Sequence, residues 1–287
     1  MANIFILKNT NFAFINLKIN KMKTVLVTGA SSGIGKSTAI YLAQNGYKVY
    51  GAARRIDKLR ALETYGIKPI SLDVTQQESA ETCINQILKE EGKIDVLVNN
   101  AGAGFYGALE DVPLQDGRNM LDVNLFGVLR LIQKVLPNMR KNKSGKIVNI
   151  SSIGGKIGMP MGGWYSAGKF AIEGVSDVLR NEVKQFGIDV IVIEPGGTNS
   201  EMEGKGMGFL KKVSENSAYK NLSDGLIKMY SDIKASDPIV IAKLIRKSIE
   251  AKHPKTRYAG GAMAKPMLFM RKILSDKLFD KMLMSQF

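Results

Sequence analysis

Tyr165 and Lys169 are the residues of this chain whose types and spacing point most directly to chemistry. They lie four positions apart, so on a helix both side chains would project from the same face. A phenol has an ordinary pKa of about 10, and a nearby ammonium group lowers that pKa by stabilising the phenolate. Such a pair could exchange a proton with a substrate oxygen. A tyrosine and a lysine at this spacing are common, so the pair carries weight only through its context.

A glycine-rich segment, residues 28–35 with the sequence TGASSGIG, lies between the first predicted strand and the first predicted helix. Glycine lets the backbone turn tightly and approach a pyrophosphate, and the free N–H groups at a helix start can face phosphates. Here the glycines are spaced G-x-x-x-G-x-G, not the commoner G-x-G-x-x-G, and a plain strand-to-helix turn is the alternative. The phosphate loop of nucleotide triphosphatases does not fit, because Ala30 occupies the position of its first glycine.

The second predicted strand ends at Arg54 and Arg55. Enzymes that prefer NAD place an acid here for the ribose 2′-hydroxyl, but no acid occurs before Asp57. Guanidinium groups pair well with a 2′-phosphate, so the sequence predicts NADP(H) rather than NAD(H). A solvated helix start is the alternative for the two arginines. At the end of the third strand, Asp73 could bond an adenine amino group or cap the next helix.

Short β-branched runs alternate with segments of helical spacing from residue 23 onward. Apolar strands that alternate with helices predict a doubly wound α/β fold, a parallel sheet with helices on both faces. The predicted strands are 25–27, 48–53, 69–72, 95–98, 146–150, 189–194 and 256–259. The predicted helices are 34–44, 76–90, 120–139, 167–186 and 238–250.

Three parts of the chain are expected: an N-terminal extension (1–22), a single dinucleotide-binding and catalytic domain (23–262), and a basic amphipathic C-terminal helix (263–287). The extension could come from an upstream start codon, form an arm or be an address signal; polar interruptions argue against a secretory signal. Residues 197–230 lack a strong period and follow a strand, which suggests a flap over the substrate. The C-terminal helix could lie on an anionic membrane surface, on the domain or on another subunit.

Composition excludes several classes of protein. The chain has 287 residues, of which 45% are hydrophobic, enough for a sizeable core, and no run approaches the ~20 apolar residues of a membrane span. Cys83 is the only cysteine and His253 the only histidine, so an intrachain disulfide and a four-cysteine zinc site are excluded and no metal is expected. The net charge of +15 fits a solvated basic surface, nucleic acid, an anionic membrane or a phosphate-rich ligand. No nucleic-acid recognition motif is present, so a nucleic-acid partner is not expected, and the expected location is cytoplasmic.

Six motifs, in matching order and spacing over residues 23–258, resemble the short-chain dehydrogenase/reductase superfamily, single-domain type. They are residues 28–35, Asn99-Asn100-Ala101-Gly102, Asn124, Ile150-Ser151-Ser152, residues 165–169 and Pro195-Gly196. Residues 50–55, 104–109 and 164–173 look like its branch of steroid, retinol and related lipophilic-alcohol enzymes. The resemblance implies a seven-stranded Rossmann-type sheet in the order 3-2-1-4-5-6-7 and hydride transfer with NAD(P).

The resemblance also implies four catalytic residues. Tyr165 would give or take the proton at the substrate oxygen, and Lys169 would hold the nicotinamide ribose and lower the pKa of Tyr165. Ser152 would hydrogen-bond the reacting oxygen, with Ser151 as the competitor for that role. Asn124 would support a water that links Lys169 to solvent, or would simply bond neighbouring backbone.

The expected cofactor-binding residues lie at five strand ends and around the start of the helix predicted over 167–186. In place of an aliphatic residue and a threonine that the family often has after Pro195-Gly196, this chain has Thr198 and Ser200. The full expected set is Gly29, Ser31, Ser32, Gly33, Ile34, Gly35, Arg54, Arg55, Asp73, Val74, Asn100, Ala101, Gly102, Tyr165, Lys169, Pro195, Gly196, Thr198 and Ser200.

The expected substrate is a small lipophilic carbonyl or alcohol, such as a steroid or retinoid. Six large side chains could line its pocket or could equally be core or lid residues: Met159, Met161, Trp164, Met202, Met207 and Phe209. Two other functions stay open, a non-catalytic NADP-binding protein on the same fold and a 3-oxoacyl-carrier-protein reductase. A homodimer or homotetramer, paired through the helices at 120–139 and 167–186, is expected from the resemblance.

Overall fold

The computed structural model describes residues 22–232 and 234–287, with the side chain of Glu203 excepted. The N-terminal extension predicted over 1–22 therefore lies outside the described residues, apart from Met22. Among the residues described, no helix has the length and apolar character that crossing a membrane would need.

Seven strands form one sheet in the order β3-β2-β1-β4-β5-β6-β7, and every neighbouring pair is parallel. This confirms the predicted fold class and strand order. The strands are β1 (Thr24–Thr28), β2 (Lys48–Ala53), β3 (Lys68–Ser71), β4 (Val96–Asn99), β5 (Gly145–Ile150), β6 (Ile188–Pro195) and β7 (Arg257–Gly260).

Eleven α-helices are found in the described part of the chain. The first six are α1 (Gly33–Gln44), α2 (Ile56–Arg60), α3 (Gln77–Glu91), α4 (Leu114–Leu121), α5 (Gly127–Lys141) and α6 (Gly163–Val183). The others are α7 (Glu201–Ser214), α8 (Lys220–Asp232), α9 (Ile239–Glu250), α10 (Ala264–Ile273) and α11 (Asp276–Met284).

The central strands are apolar throughout because both faces of the sheet are covered. All five residues of β1 are buried: Leu26 packs with α3, α5 and α6, whereas Val25 and Val27 pack with α1 and α9. Alternate residues of one strand thus enter two separate cores. The sheet is held between these two helix layers, which leaves the carboxyl ends of its strands for a ligand.

The helix predicted over 120–139 is wrong in its start and its continuity. Helix α4 begins at Leu114, and a π-helical segment, Asp122–Phe126, joins it to α5. Leu114 is exposed, so the apolar period that a sequence shows begins only near Met120. A π turn takes one extra residue without changing the helical spacing on either side enough to be recognised.

Two other regions differ from expectation in detail. In place of one helix over 263–287 there are two, α10 and α11, because the backbone is extended at Leu274 and Ser275. The segment expected to be a flap contains α7 and α8. Glycines within α7 lower its helix propensity and hide its pattern.

Candidate active site

The carboxyl ends of β1 and β4 are joined by side-chain hydrogen bonds. Thr28 Oγ1 accepts from the backbone N–H groups of Asn100 (3.0 Å) and Ala101 (2.9 Å) and donates to Val98 O (3.3 Å). Asn100 Nδ2 donates to Thr28 O at 2.9 Å. These bonds fix the start of the glycine-rich turn against the end of the neighbouring strand.

Two glycines of the turn have no room for a side chain. Gly29 has a φ of +66°, and a Cβ there would lie 2.9 Å from Asn100 Nδ2. A Cβ on Gly35 would lie 2.3 Å from Gly29 O and 2.4 Å from Asn100 Nδ2. Gly35, predicted to contact the cofactor, instead lies behind the turn, where it permits α1 to pack closely on it.

A groove of about 440 Å³ opens in front of the turn. It begins at the first turn of α1, which has no acidic residue and no side-chain cap from its N-cap residue Ser32. The backbone N–H groups of that turn can therefore bind an anion, as the phosphates of a dinucleotide would require. Apart from Gly35, every predicted cofactor-binding residue lines this groove.

Sequence reasoning missed part of the groove wall. Glu201, Met202 and Lys205 line it from the start of α7. They come from the segment without a strong period, so no pattern pointed to Glu201 or Lys205, and Met202 was expected only in the substrate pocket. Ala52, Ala53, Leu72, Ala103, Gly104, Val123, Ile150 and Ser151 also line it.

Arg55 is tied to both sides of the groove. Its guanidinium donates to Ser31 Oγ (3.0 Å) and Ser32 Oγ (3.2 Å) on the glycine turn, and to Glu201 Oε2 (2.8 Å) on α7. Glu201 also pairs with Lys58 at 3.0 Å. The hydrogen bonds from Arg55 and Lys58 hold the pKa of the Glu201 carboxyl down at about 2. Glu201 therefore forms an ion pair with the Arg55 guanidinium, the group that a 2′-phosphate would need.

Asp73 serves local structure and also faces the groove. Its Oδ1 accepts from Thr75 N (3.0 Å) and Thr75 Oγ1 (2.8 Å), which turns the chain ahead of α3. The N-cap position of α3 belongs to Gln76. Asp73 is therefore not the helix cap that was the alternative to an adenine contact; it forms a turn two residues before α3 and lines the groove.

Helix α6 places Tyr165 and Lys169 on one face, in its first two turns. Lys169 is buried, its Nζ donates to Ile150 O at 2.9 Å, and it lies 5.7 Å from the centre of the Tyr165 ring. Burial lowers the pKa of Lys169 to about 8, against the opposing charge of Glu173. The ammonium is thus held at the end of β5, within the groove.

Burial also determines the pKa of Tyr165. It raises the pKa of the phenol to about 12, against a smaller lowering by the hydrogen bond with Ser152, and the charge of Tyr230 adds to the rise. This direction is opposite to the lowering expected from Lys169. In the protein alone, the phenol is therefore held in its protonated form, ready to act as an acid.

Ser152, rather than Ser151, is the serine beside the phenol. Ser152 Oγ accepts from Gly154 N (3.1 Å) and lies 3.4 Å from Pro195 O, to which it donates. The Ser151 hydroxyl is buried and points toward Gly155, where a Cβ would lie 2.5 Å from it. The geometry favours Ser152 for the contact with a reacting oxygen.

Asn124 lies in the π-helical segment, and both ends of its side-chain amide bond the backbone of Ala103. Its Oδ1 accepts from Ala103 N and its Nδ2 donates to Ala103 O, both at 2.8 Å. This is the backbone-bonding alternative.

A second cavity, of about 700 Å³, adjoins the groove and shares Ser152 and Tyr165 with it. Of the six side chains considered for a substrate pocket, only Met159 and Met202 line this cavity. Trp164 packs on Gly117 and Phe209 on Phe105, while Met161 and Met207 belong to a core cluster. Nine other apolar residues line the cavity that were not among these six, two from the end of the segment expected to be a flap and seven from residues 263–287: Met229, Tyr230, Met263, Pro266, Met267, Met270, Met282, Leu283 and Phe287.

A Gly35→Ala substitution should damage both folding and dinucleotide binding, because the added methyl group meets Gly29 O and Asn100. Overpacking of this kind costs about 1–3 kcal/mol. We expect a lower Tm and at least a tenfold weaker binding (about 1.4 kcal/mol) of NADPH in a fluorescence titration. Gly174→Ala, on α6 with open space around it, is the matched control and should leave both quantities unchanged. Wild-type affinity in Gly35→Ala would refute this role of the glycine.

Removing the charge of Glu201 should strengthen the binding of NADPH but not of NADH. In Glu201→Gln, Arg55 and Lys58 no longer have a carboxylate to release before they meet a 2′-phosphate. Isothermal titration with each dinucleotide measures the effect, with Glu215→Gln on the same segment as the control. Equal changes for NADPH and NADH would show that Glu201 does not compete with a phosphate.

Comparison with known proteins gives the same picture as the geometry. The family model described as short chain dehydrogenase matches residues 23–207. A 3-ketodihydrosphingosine reductase of Bacteroides thetaiotaomicron is 45% identical over 61% of this chain and 64% of its own. Bovine retinol dehydrogenase 8 is 33% identical (87% and 85% covered), and the NADPH-dependent 3-dehydrocapnine reductase of Ornithobacterium rhinotracheale is 32% identical (91% and 95%).

Solved structures share the fold. A short-chain dehydrogenase from Streptomyces avermitilis superposes with a TM-score of 0.78 at 34% identity, covering 91% of this chain and 94% of its own. The closed form of a serine dehydrogenase complexed with NADP⁺ gives 0.72 at 26% identity, with 84% and 95% covered. Together with the family-model match and the arrangement of Ser152, Tyr165 and Lys169, these likenesses assign the chain to the short-chain dehydrogenase/reductase superfamily, in its steroid- and retinol-dehydrogenase-like branch of oxidoreductases.

Proposed function

We propose that this protein is an NADP(H)-dependent oxidoreductase that interconverts a lipophilic ketone and its alcohol. The observation that carries the proposal is the position of Tyr165 and Ser152, which line both the dinucleotide groove and the apolar cavity. A carbonyl carbon held between the two spaces would have a hydroxyl-bearing wall on one side and the groove on the other.

The proposed reaction uses each residue at a stated atom. When bound, the nicotinamide dinucleotide supplies the hydride for reduction, or accepts it in the reverse direction. Ser152 Oγ hydrogen-bonds the substrate oxygen, and Tyr165 Oη transfers its proton to that oxygen as negative charge develops there. Lys169, held by Ile150 O, stabilises the phenolate that remains. In the oxidation direction the same phenolate takes the proton back.

The preference for NADP(H) rests on Arg54 and Arg55, which line the groove where an acid would serve NAD. Arg55 already binds a carboxylate and two hydroxyls there, so its donors point into the groove. Two of the proteins compared above are linked to this cofactor. The reductase of Ornithobacterium rhinotracheale is named as NADPH-dependent, and the serine dehydrogenase structure is a complex with NADP⁺. These observations support the phosphate-bearing cofactor.

The lipophilic substrate is supported by the composition of the cavity. Seven methionines line its wall, and their flexible side chains adapt to apolar molecules of varied shape. Two similar relatives are named for a keto-sphingosine and for retinol. The volume of about 700 Å³ suits a steroid-sized or long-chain substrate.

A homodimer or homotetramer is proposed on the basis of exposed apolar residues. Phe170 and Val178 lie exposed on α6, and Phe126 is exposed at the end of the π-helical segment before α5. A second copy that packs against these helices would cover all three side chains.

The proposed function predicts NADPH consumption, in preference to NADH, with long-chain or polycyclic ketones. Tyr165→Phe should reduce turnover by about a hundredfold to ten-thousandfold, the usual contribution of a general acid, while NADPH binding is kept. Tyr106→Phe is the control, since it removes a hydroxyl that bonds Tyr230 in the same cavity, and should keep most of the turnover.

Two outcomes would contradict this proposal separately. Turnover that survives in Tyr165→Phe would remove the mechanism. Equal or better use of NADH by the wild-type protein would remove the role of Arg54 and Arg55 without affecting the mechanism.

A further inference from the structure

Helices α10 and α11 have an inner face that belongs to the apolar cavity. Met267, Met270 and Met282 line that cavity, and Phe279 and Leu283 pack in a core cluster with Ile157. The inner face therefore satisfies the usual need of an amphipathic helix to bury one apolar side.

The outer face of the same helices is also apolar. Phe269, Ile273 and Leu278 are 60%, 56% and 57% exposed. With Met284 they make up four of the fourteen exposed large apolar side chains in the described part of the chain, all within its last 25 residues. A fifth, Met263, is exposed just before α10 and also lines the cavity. Such a concentration marks a surface that meets an apolar partner.

Lysines surround these side chains. On α10, Lys265, Phe269 and Lys272 follow helical spacing and share one face; on α11, Lys277, Lys281 and Met284 do the same. None of these four lysines forms an ion pair within residues 22–232 and 234–287, whereas Arg271 pairs with Asp276 at 2.8 Å. Over residues 263–287 there are five Lys and Arg against two Asp.

We infer that the outer face of α10 and α11 docks on an anionic membrane surface. Apolar side chains among lysines enter the boundary between headgroups and acyl chains, while the ammonium groups stay with the anionic headgroups. A second copy of this chain fits less well, because a twofold contact places the same lysine-rich surface against itself. Charge thus selects an anionic partner for this face.

Docking would bring the wall of the substrate cavity to the bilayer. The same two helices form that wall and the docking face, so a ketone dissolved in the membrane would have a short path to Tyr165. Only this second step, the delivery of substrate, rests on the proposed function; membrane binding itself does not.

The test is co-sedimentation of the full chain with vesicles of phosphatidylcholine, with or without phosphatidylglycerol, in the absence of substrate and cofactor. Lys272→Gln with Lys277→Gln should weaken binding to the anionic vesicles about 25-fold, since each lysine near such a surface contributes about fivefold. Phe269→Ser with Leu278→Ser should weaken it by about tenfold or more. Val240→Ser with Lys243→Gln, on the exposed side of α9, is the matched control and should bind as wild type does.

Binding that requires phosphatidylglycerol, falls with salt and is lost in both test variants but not in the control supports the inference. Equal sedimentation of all variants, or equal binding to neutral vesicles, overturns it. The inference is also overturned if the wild-type protein does not bind vesicles and forms a dimer that dissociates in Phe269→Ser with Leu278→Ser. Turnover of a long-chain or polycyclic ketone supplied without vesicles should be equal in all variants; its absence in the wild type would refute the proposed function and leave the vesicle result standing.

Discussion

The contact between the ends of β1 and β4 is the constraint on which the site depends. Thr28 binds the backbone of Asn100 and Ala101, and the absence of a side chain at Gly35 lets α1 close on the same point. These contacts aim the first turn of α1 along the carboxyl edge of the sheet. Many of the other groove residues follow the neighbouring strand ends, so their positions follow once the parallel order of the strands is fixed. Helices α6 and α7 supply Tyr165, Lys169 and Glu201.

Burial is the second physical effect that shapes the chemistry. It disfavours the charged form of both members of the pair, raising the pKa of Tyr165 to about 12 and lowering that of Lys169 to about 8. The hydrogen bond with Ser152 works against this effect on the phenol. In a site that excludes water, polar groups beside a developing negative charge stabilise it much more strongly than they would in water. The proposed reduction therefore starts from a neutral phenol. Tyr165 releases its proton only when negative charge develops on the substrate oxygen.

Sequence patterns predicted the sheet because it is a local consequence of alternating strands and helices, and the family resemblance predicted more than half of the residues that line the groove. Arg55 and Ser152 fall where the motifs place them, although the competition of Glu201 for Arg55 could not be foreseen from a segment without a period. The start of α4 was missed because Leu114 is exposed and breaks the apolar pattern.

The cavity wall formed by the C-terminal residues also could not be predicted from the sequence. Its methionines are spread over two helices, and only the extended backbone at Leu274 and Ser275 brings both helices against the domain. The side chain of Asn124 illustrates the same limit, since a motif shows that a residue is present but not which partner its amide binds.

The central proposal is that Tyr165 is the proton-transferring group. Burial raises its pKa in the protein alone, and the positive charge of a bound oxidised nicotinamide would lower it. The most direct test is the pKa of Tyr165, measured by ultraviolet difference titration against Tyr165→Phe, with and without oxidised NADP⁺. The account predicts a pKa well above 10 in the protein alone, near the value of about 12 caused by burial, and a clear fall when NADP⁺ is bound. A Tyr165 pKa that NADP⁺ leaves unchanged would contradict it.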